Sequence, residues 1–177
     1  LYVNLFVPSE VKPGPGSVSV EQRTDFPLGE TTRFIVRAGR PVKFMISIRV
    51  PNWSGEPETA VNGSVFSVVR KKGRLSVKRL WRDGDTLEVR FPMSLRFEAI
   101  DERTPDRAAL MYGPVLLAAL SDKDPELHGD ISDPSSWIRP VEGGRLEFKT
   151  SGGQRFRPLY LIAGEERYTV YPRIVGN

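Results

Sequence analysis

The chain has 177 residues, of which 39% are hydrophobic and 27% charged, with 26 basic and 22 acidic side chains giving a formal net charge of +4. This composition is ordinary for a globular protein long enough to bury a core, and no apolar run approaches the roughly 20 residues of a membrane-spanning helix. The lack of cysteine excludes disulfide scaffolds, thiolate zinc sites and cysteine nucleophiles. His128 is the single histidine, so a Ser-His-Asp triad or a multi-histidine metal site has at most one candidate member.

The first seven residues alternate like a β-strand that carries apolar side chains on both faces. One predicted face is aliphatic and is expected to enter a core: Leu1, Val3, Leu5 and Val7. The other face carries Tyr2 and Phe6, which are expected to pack against another part of the protein. No signal-peptide pattern precedes Leu1, so the sequence leaves the compartment open.

Three longer segments repeat the period-two pattern of strands that have one buried face. They are SVSVEQR, VKFMISIRV and TLEVRF. Asn62-Gly63 predicts a tight hairpin, because both central residues of a type I′ turn need positive φ. Lys72-Gly73 and Asp83-Gly84 predict two further turns.

In the second half of the chain, apolar and polar residues alternate less regularly. The run PVLLAAL, 114–120, is short and follows a glycine, which favours a buried strand over a helix. We predict an all-β fold with little or no helix: a two-sheet antiparallel β-sandwich, jelly-roll-like, over residues 1–120. A polar connector is predicted over residues 121–136. Extra C-terminal strands are predicted over residues 137–177, packing on the sandwich or on another domain.

The densest basic stretch is RKKGRLSVKRLWR, from Arg70 to Arg82. Its Lys72-Gly73 turn places several charges at a hairpin tip or on the solvated face of strands. Nucleic-acid binding would require aromatic platforms or a recognition helix beside the patch, and the sequence shows neither. The prediction is therefore a solvated face, with no nucleic acid and no membrane among the partners.

Two groups of carboxylates offer candidate catalytic or metal-binding residues. FEAIDERTPD contains Glu98 and Asp101, and a glycosidase would need two such residues facing each other. Interleaved arginines indicate solvated ion pairs instead, so no catalytic residue is assigned.

Residues 121–136 contain oxygen ligands suited to calcium, but Leu127 stands where an EF-hand needs glycine. A solvated connector with an exposed His128 is the leading interpretation, a looser calcium site is the alternative, and no metal ligand is assigned.

Three tryptophans are candidate carbohydrate-stacking residues, because indole rings stack on the apolar faces of sugars: Trp53, Trp81 and Trp137. Trp81 enters a glycine turn and Trp53 follows a proline after a core strand, positions that favour core-filling roles. Large aromatic residues are mostly buried. Structural roles are therefore favoured, and a carbohydrate-binding platform stays the alternative.

Six segments that follow one another along the chain carry a family resemblance. They are LYVNLFVPSEV, VEQRTDFPLG, FMISIRVPNWS, AVNG, LSVKRLWRDGDTLEVRFPM and LMYGPVLLAAL, and FRPLYLIAGEERYTVYPR closes the series. Together they resemble the β-sandwich region that follows the catalytic barrel in β-L-arabinofuranosidase-like glycoside hydrolases (family 127 and its relatives). The resemblance covers nearly the whole chain and rests on the order of the motifs.

The resemblance implies an upstream (α/α)₆ barrel that performs catalysis with a cysteine nucleophile, a glutamate and zinc. No residue here can take the cysteine roles, so no cofactor is expected in this chain and zinc is expected in the parent catalytic domain. The leading prediction is a non-catalytic accessory β-sandwich of a bacterial glycoside hydrolase, either secreted or periplasmic or cytoplasmic. It would pack on the barrel of the same polypeptide, with Tyr2 and Phe6 as interdomain-packing candidates.

Two other functions stay open. The first is an autonomous carbohydrate-binding module that binds glycans on an exposed Trp platform, with Trp53 or Trp137 as the stacking residue. The second, less favoured, is a stand-alone enzyme that uses Glu98 or Asp101.

Overall fold

The computed structural model describes residues 1–12 and 18–176 of the chain. These residues form eighteen β-strands and two short 3-10 helices, with no α-helix among them. Within the same ranges, no helix has the length and apolar character that crossing a membrane requires. The strands divide between two compact units, Leu1–Met93 and Ser94–Asn177. The all-β prediction is confirmed.

The first unit contains nine of the described strands, arranged in two sheets. They are β1 (Tyr2–Val3), β2 (Ser9–Val11), β3 (Val18–Thr24), β4 (Thr31–Ala38), β5 (Val42–Arg49), β6 (Glu58–Val61), β7 (Ser64–Val65), β8 (Arg74–Trp81) and β9 (Thr86–Arg90). A three-stranded sheet has the order β1-β5-β8, and a six-stranded sheet has the order β2-β3-β4-β9-β6-β7. Strand β1 runs parallel to β5, whereas β5 and β8 are antiparallel.

Apolar side chains at alternate positions of the long strands form the core of the first unit, between its two sheets. Ile46 and Ile48 of β5 enter the core from the three-stranded sheet, and Phe34 and Val36 of β4 enter it from the six-stranded sheet. Burying each side chain of this size stabilises the fold by roughly 1.5–3 kcal/mol. The first unit is therefore a two-sheet β-sandwich, as predicted, and its jelly-roll character stays a prediction.

Turns with positive φ connect these strands where the sequence predicts them. Asn62-Gly63 has φ values of 51° and 78°, and Lys72-Gly73 has values of 51° and 71°. Gly84, with φ 77°, lies in the turn that carries the chain from β8 in one sheet to β9 in the other. Asp85 fixes this corner, because its carboxylate accepts hydrogen bonds from Arg82 N and from Asn62 Nδ2, both at 2.9 Å.

The second unit contains the other nine described strands and both 3-10 helices. The strands are β10 (Leu95–Ala99), β11 (Ala108–Tyr112), β12 (Val115–Leu120), β13 (Glu126–His128), β14 (Ile138–Pro140), β15 (Phe148–Thr150), β16 (Arg155–Pro158), β17 (Tyr168–Thr169) and β18 (Arg173–Val175), and the helices are Pro134–Ser136 and Leu159–Leu161. One sheet has the order β10-β11-β12-β16-β15-β14, with β17 also paired to β12. Strands β13 and β18 form a separate parallel pair. PVLLAAL is thus a strand, as predicted.

The observed division of the chain differs from the predicted boundaries. The first unit ends at Met93 rather than at Leu120, because β10, β11 and β12 pair with one another and with β16 and β17. The stretch 121–136, predicted to be a connector, contains β13 and a 3-10 helix. Ser17, at the start of the segment SVSVEQR, and Asn177 lie outside the described residues.

Candidate functional site

An apolar surface lies along the first strands of the first unit. Tyr2, Leu5, Val7 and Val11 are exposed there, and Tyr2 is 68% exposed. They line a cleft of about 310 Å³. We call these four residues the N-terminal apolar surface.

Polar contacts hold the N-terminal apolar surface in place. Arg74 donates hydrogen bonds to Asn4 Oδ1 at 2.9 Å and to Val3 O at 3.2 Å. Its guanidinium also lies over the Tyr2 ring, 5.2 Å from the centroid, where a cation–π attraction operates. Gln22 Nε2 donates to Leu5 O at 3.1 Å. The exposed apolar side chains therefore belong to an ordered segment.

The predicted pairing of Tyr2 with Phe6 on one outward face is wrong. Phe6 is 3% exposed, and its ring packs 5.3 Å from that of Phe26 and 4.8 Å from that of Phe91. Strand β1 ends at Val3, so the alternation does not continue to Phe6. Phe6 is a core residue with almost no surface left for another domain, whereas Tyr2 is accessible.

The prediction that the aliphatic face of the first strand, Leu1 to Val7, enters a core is only partly confirmed. Val3 is buried in the core, but Leu5 and Val7 are exposed. The alternation therefore failed to identify two residues of the N-terminal apolar surface, and it did not single out Val11. The signal that could have found them is Pro8, because a proline one residue after a short apolar run interrupts sheet pairing.

Trp81 is not available as a carbohydrate-stacking residue. Its side chain is fully buried, and its Nε1 donates a hydrogen bond to Phe44 O at 3.1 Å. The interpretation of Trp81 as a corner-filling core residue is therefore confirmed.

Trp53 and Trp137 are half-buried, and each already stacks on a phenylalanine. Trp53 lies 6.0 Å from Phe26 with an interplanar angle of 17°, and Trp137 lies 5.9 Å from Phe97 at 19°. Trp137 Nε1 donates to Asp130 O at 2.9 Å. A Cβ added to Gly129 would come within 2.2 Å of the Trp137 indole, so backbone is packed directly against that ring. These contacts support structural roles for both rings.

The candidate acids Glu98 and Asp101 are both exposed. Glu98 forms an ion pair with Arg96. A hydrogen bond from the Thr104 hydroxyl, with further bonds from the backbone N–H groups of Arg103 and Thr104, lowers the pKa of Asp101. A general acid needs a raised pKa, so Asp101 is unsuited to donate a proton and acts as a turn cap.

Two carboxylates of the acidic stretch 121–136, those of Asp124 and Asp130, already accept hydrogen bonds from other side chains. Asp124 accepts a hydrogen bond from Arg107, which lowers the pKa of Asp124, and the Ser132 hydroxyl lowers the pKa of Asp130 in the same way. In the part of the chain that the structure describes, no group of three or more His, Cys, Asp or Glu side chains could hold a metal ion. A zinc site of the cysteine type does not fit this chain, which has no cysteine. His128 lies on β13 and is exposed, as predicted.

One of the comparisons with known proteins identifies a family. A family model described as "Beta-L-arabinofuranosidase, GH127 middle domain" matches residues 1–93. No curated protein matches the chain by sequence.

Solved structures of larger proteins share the fold of nearly the whole chain. A GH127 beta-L-arabinofuranosidase from Geobacillus stearothermophilus T6 is 22% identical with a TM-score of 0.76, and the match covers 98% of this chain and 33% of that one. A second GH127 beta-arabinofuranosidase is 21% identical with a TM-score of 0.76, covering 98% and 34%. A protein described as a glycoside hydrolase is 19% identical with a TM-score of 0.69, covering 89% and 32%. The chain therefore spans about a third of the length of these proteins.

The two kinds of comparison carry different weight. Similarity at these low identities establishes the fold, and the family model establishes the family. Because that model spans more than half of the 177 residues, the chain belongs to the GH127 β-L-arabinofuranosidase family, with residues 1–93 as its middle domain.

Proposed function

We propose that this chain is a non-catalytic accessory part of a bacterial glycoside hydrolase and that it packs on a helical catalytic barrel of the same polypeptide. The observation that carries the proposal is the N-terminal apolar surface, which is ordered and yet leaves four large apolar side chains in water. Clustered exposure of this kind is typical of an interface. The surface also lies within the residues that match the GH127 middle domain.

The physical chemistry of this surface suits a permanent interdomain contact. Fully burying a Leu or Val side chain stabilises an association by roughly 1.5–3 kcal/mol, and Leu5, Val7 and Val11 each have surface to bury. Tyr2 can bury its ring and still keep a hydrogen bond through its hydroxyl. Because Arg74 and Gln22 already hold the segment, docking costs little conformational entropy.

The same proposal assigns the chemistry to the barrel. The cysteine nucleophile and the zinc that the family resemblance implies would lie there, and so would the site that takes arabinose-containing glycans. The ion-paired and turn-capping carboxylates of this chain support a non-catalytic role.

A binding measurement with matched variants tests the packing. The catalytic barrel encoded by the same reading frame would be produced separately and titrated with the 177-residue chain by calorimetry. We expect Leu5→Asp to weaken the association about tenfold or more, because a carboxylate would be buried without a partner. Val69→Asp is the control, since Val69 is a comparably exposed apolar residue outside the N-terminal apolar surface.

Three outcomes would contradict the proposal. The first is a reading frame that encodes no barrel, the second is equal binding by the two variants, and the third is hydrolysis of an aryl arabinofuranoside by the 177 residues alone. The last result would overturn the non-catalytic role itself.

A further inference from the structure

A second surface of the first unit, which shares no residue with the N-terminal apolar surface, combines apolar and polar side chains. It is a groove of about 610 Å³ on the outward face of the six-stranded sheet. Its lining includes three apolar residues, Pro57, Val65 and Phe66, which we call the wall, and three charged residues, Glu58, Glu88 and Arg90, which we call the floor. We call these six residues the sheet-face groove.

Strand register explains why the polar residues of the floor lie side by side. Arg90 of β9 is opposite Glu58 of β6, and Glu88 is opposite Ala60, which in turn is opposite Val65 of β7. Residues that are directly opposite in an antiparallel pair share a face of the sheet. The charged residues of β9 therefore lie on the same face of the sheet as Val65 of the exposed edge strand β7.

Ion pairs fix the orientation of the floor. Arg90 donates to Glu30 Oε2 and to Glu58 Oε1, both at 2.7 Å. Glu88 forms an ion pair with Arg33 of β4. Each carboxylate keeps further acceptor capacity, because an ionised carboxylate offers about four lone-pair sites. The floor thus presents fixed hydrogen-bond acceptors next to a guanidinium that is already oriented.

The wall is apolar and is held against the sheet. Val65 is 91% exposed, and the Phe66 ring is also accessible. Phe66 N donates to Thr59 O at 2.9 Å, and the Thr59 hydroxyl donates to Phe66 O, so this segment is attached to β6 at both backbone groups of Phe66. The aromatic ring and the valine are therefore ordered in solvent.

We propose that the sheet-face groove binds a neutral glycan chain. A sugar ring has an apolar C–H face that can pack on Phe66, Val65 and Pro57, and hydroxyl groups that need donors and acceptors side by side, as Arg90, Glu58 and Glu88 provide. An anionic ligand would be repelled by Glu58 and Glu88, and a cationic one would compete with arginines that are already paired. A neutral polyhydroxyl compound fits this balance of charge.

The proposal goes beyond the interdomain role and is independent of it, because its test involves no barrel. It also differs from a tryptophan platform, since the groove contains no tryptophan. The test is affinity gel electrophoresis of the 177-residue chain in gels that contain arabinan, xylan, galactan or dextran, compared with gels that contain no polysaccharide.

Two exposed valines of one segment provide matched variants. Val65 lines the groove, whereas Val69, 86% exposed, does not line it. We expect at least one polysaccharide to retard the wild-type chain. Val65→Lys and Phe66→Ala should each weaken that binding about tenfold, because central groove residues carry most of an interface's affinity. Val69→Lys carries the same added charge and should leave binding unchanged. Thermal unfolding of each variant shows whether the fold is kept.

Each remaining outcome would overturn the proposal. One is that none of the four polysaccharides retards the chain. Another is that Val65→Lys and Val69→Lys lose binding equally. A third is that Trp53→Ala or Trp137→Ala abolishes retardation while the groove variants do not. A fourth is self-association that Val65→Lys removes without any effect of polysaccharide, which would make this face an interface between copies of the chain.

Discussion

The two units of the molecule are stabilised by different proportions of apolar burial and ion pairing. Among residues 1–12 and 18–176, the apolar cluster of the first unit contains sixteen buried residues and that of the second contains ten, two of them alanines. Of the ion pairs in those ranges, five lie in the first unit and seven in the second. Exposed ion pairs contribute only about 0–1 kcal/mol each, so they do not replace core. We expect the second unit to unfold first in urea.

The substitution Trp81→Ala should reverse this order and has the largest expected effect. Trp81 is fully buried in the core of the first unit, and its Nε1 satisfies the Phe44 carbonyl. Truncating a buried aromatic residue costs about 3–5 kcal/mol through lost apolar burial and the cavity that remains. Amide hydrogen exchange, measured at Ile46 in the first unit and at Leu117 in the second, reports each unit separately.

Trp81→Phe is the control for this substitution, because it keeps a ring in the same position and should cost less. Protection at Ile46 that stays above protection at Leu117 in Trp81→Ala would contradict the expected reversal, and protection at Ile46 below that at Leu117 in the wild type would contradict the expected difference between the two cores.

Substitution of a glycine, Gly129, tests the stability of the second unit. The Cβ of Gly129→Ala would lie 2.2 Å from the Trp137 indole, so the ring must move from its stack on Phe97. Overpacking of this kind costs about 1–3 kcal/mol, and it should widen the stability difference between the units. Urea unfolding followed by tryptophan fluorescence measures both the loss and the displacement of Trp137.

Gly152→Ala is the matched control in the same unit, because its Cβ would meet the Thr150 hydroxyl oxygen at an ordinary 3.7 Å. Equal losses of stability in the two alanine variants would show that Trp137 is not held by the backbone of Gly129.

The sequence predicts the first unit better than the second for a physical reason. Strand β5 has eight residues, long enough for its alternation to identify the core residues Ile46 and Ile48. Strand β1 has two residues, so the alternation could not show that Phe6 turns back into the core. In the second unit, β13 has three residues and pairs with β18, which lies far away in the sequence. Nothing in the local pattern of a three-residue strand shows such a partner.

The candidate surfaces were less predictable than the fold, because they depend on which apolar residues fail to find a core. Of the two tryptophans Trp81 and Trp137, only Trp81 is fully buried. Its position just before a glycine turn was enough to predict this burial. The exposure of Val65 depends on β7 being an edge strand, which follows from the order of the whole sheet. Local sequence therefore predicted the hairpin at Asn62-Gly63 but not the groove beside it.

The smallest expected effect concerns the corner of the first unit and depends on pH. Burial would raise the pKa of Asp85, but hydrogen bonds from Arg82 N and the Asn62 amide, with the charges of Arg79 and Arg82, outweigh it and lower the pKa from its ordinary value of 3.8. A carboxylate with a lowered folded-state pKa stabilises the fold above its unfolded-state pKa, and this contribution is lost as the pH falls through the folded-state value. We expect Asp85→Asn to cost about 1–2 kcal/mol at pH 7, because one buried acceptor oxygen is replaced by a donor.

Urea unfolding at pH 7, 5 and 3 tests this pH dependence. The free energies of unfolding of the wild type and of Asp85→Asn should become equal only at the lowest pH, whereas the exposed control Asp122→Asn should match the wild type at pH 7. A difference between wild type and Asp85→Asn that does not change with pH would mean that the side chain supports the corner by shape rather than by charge.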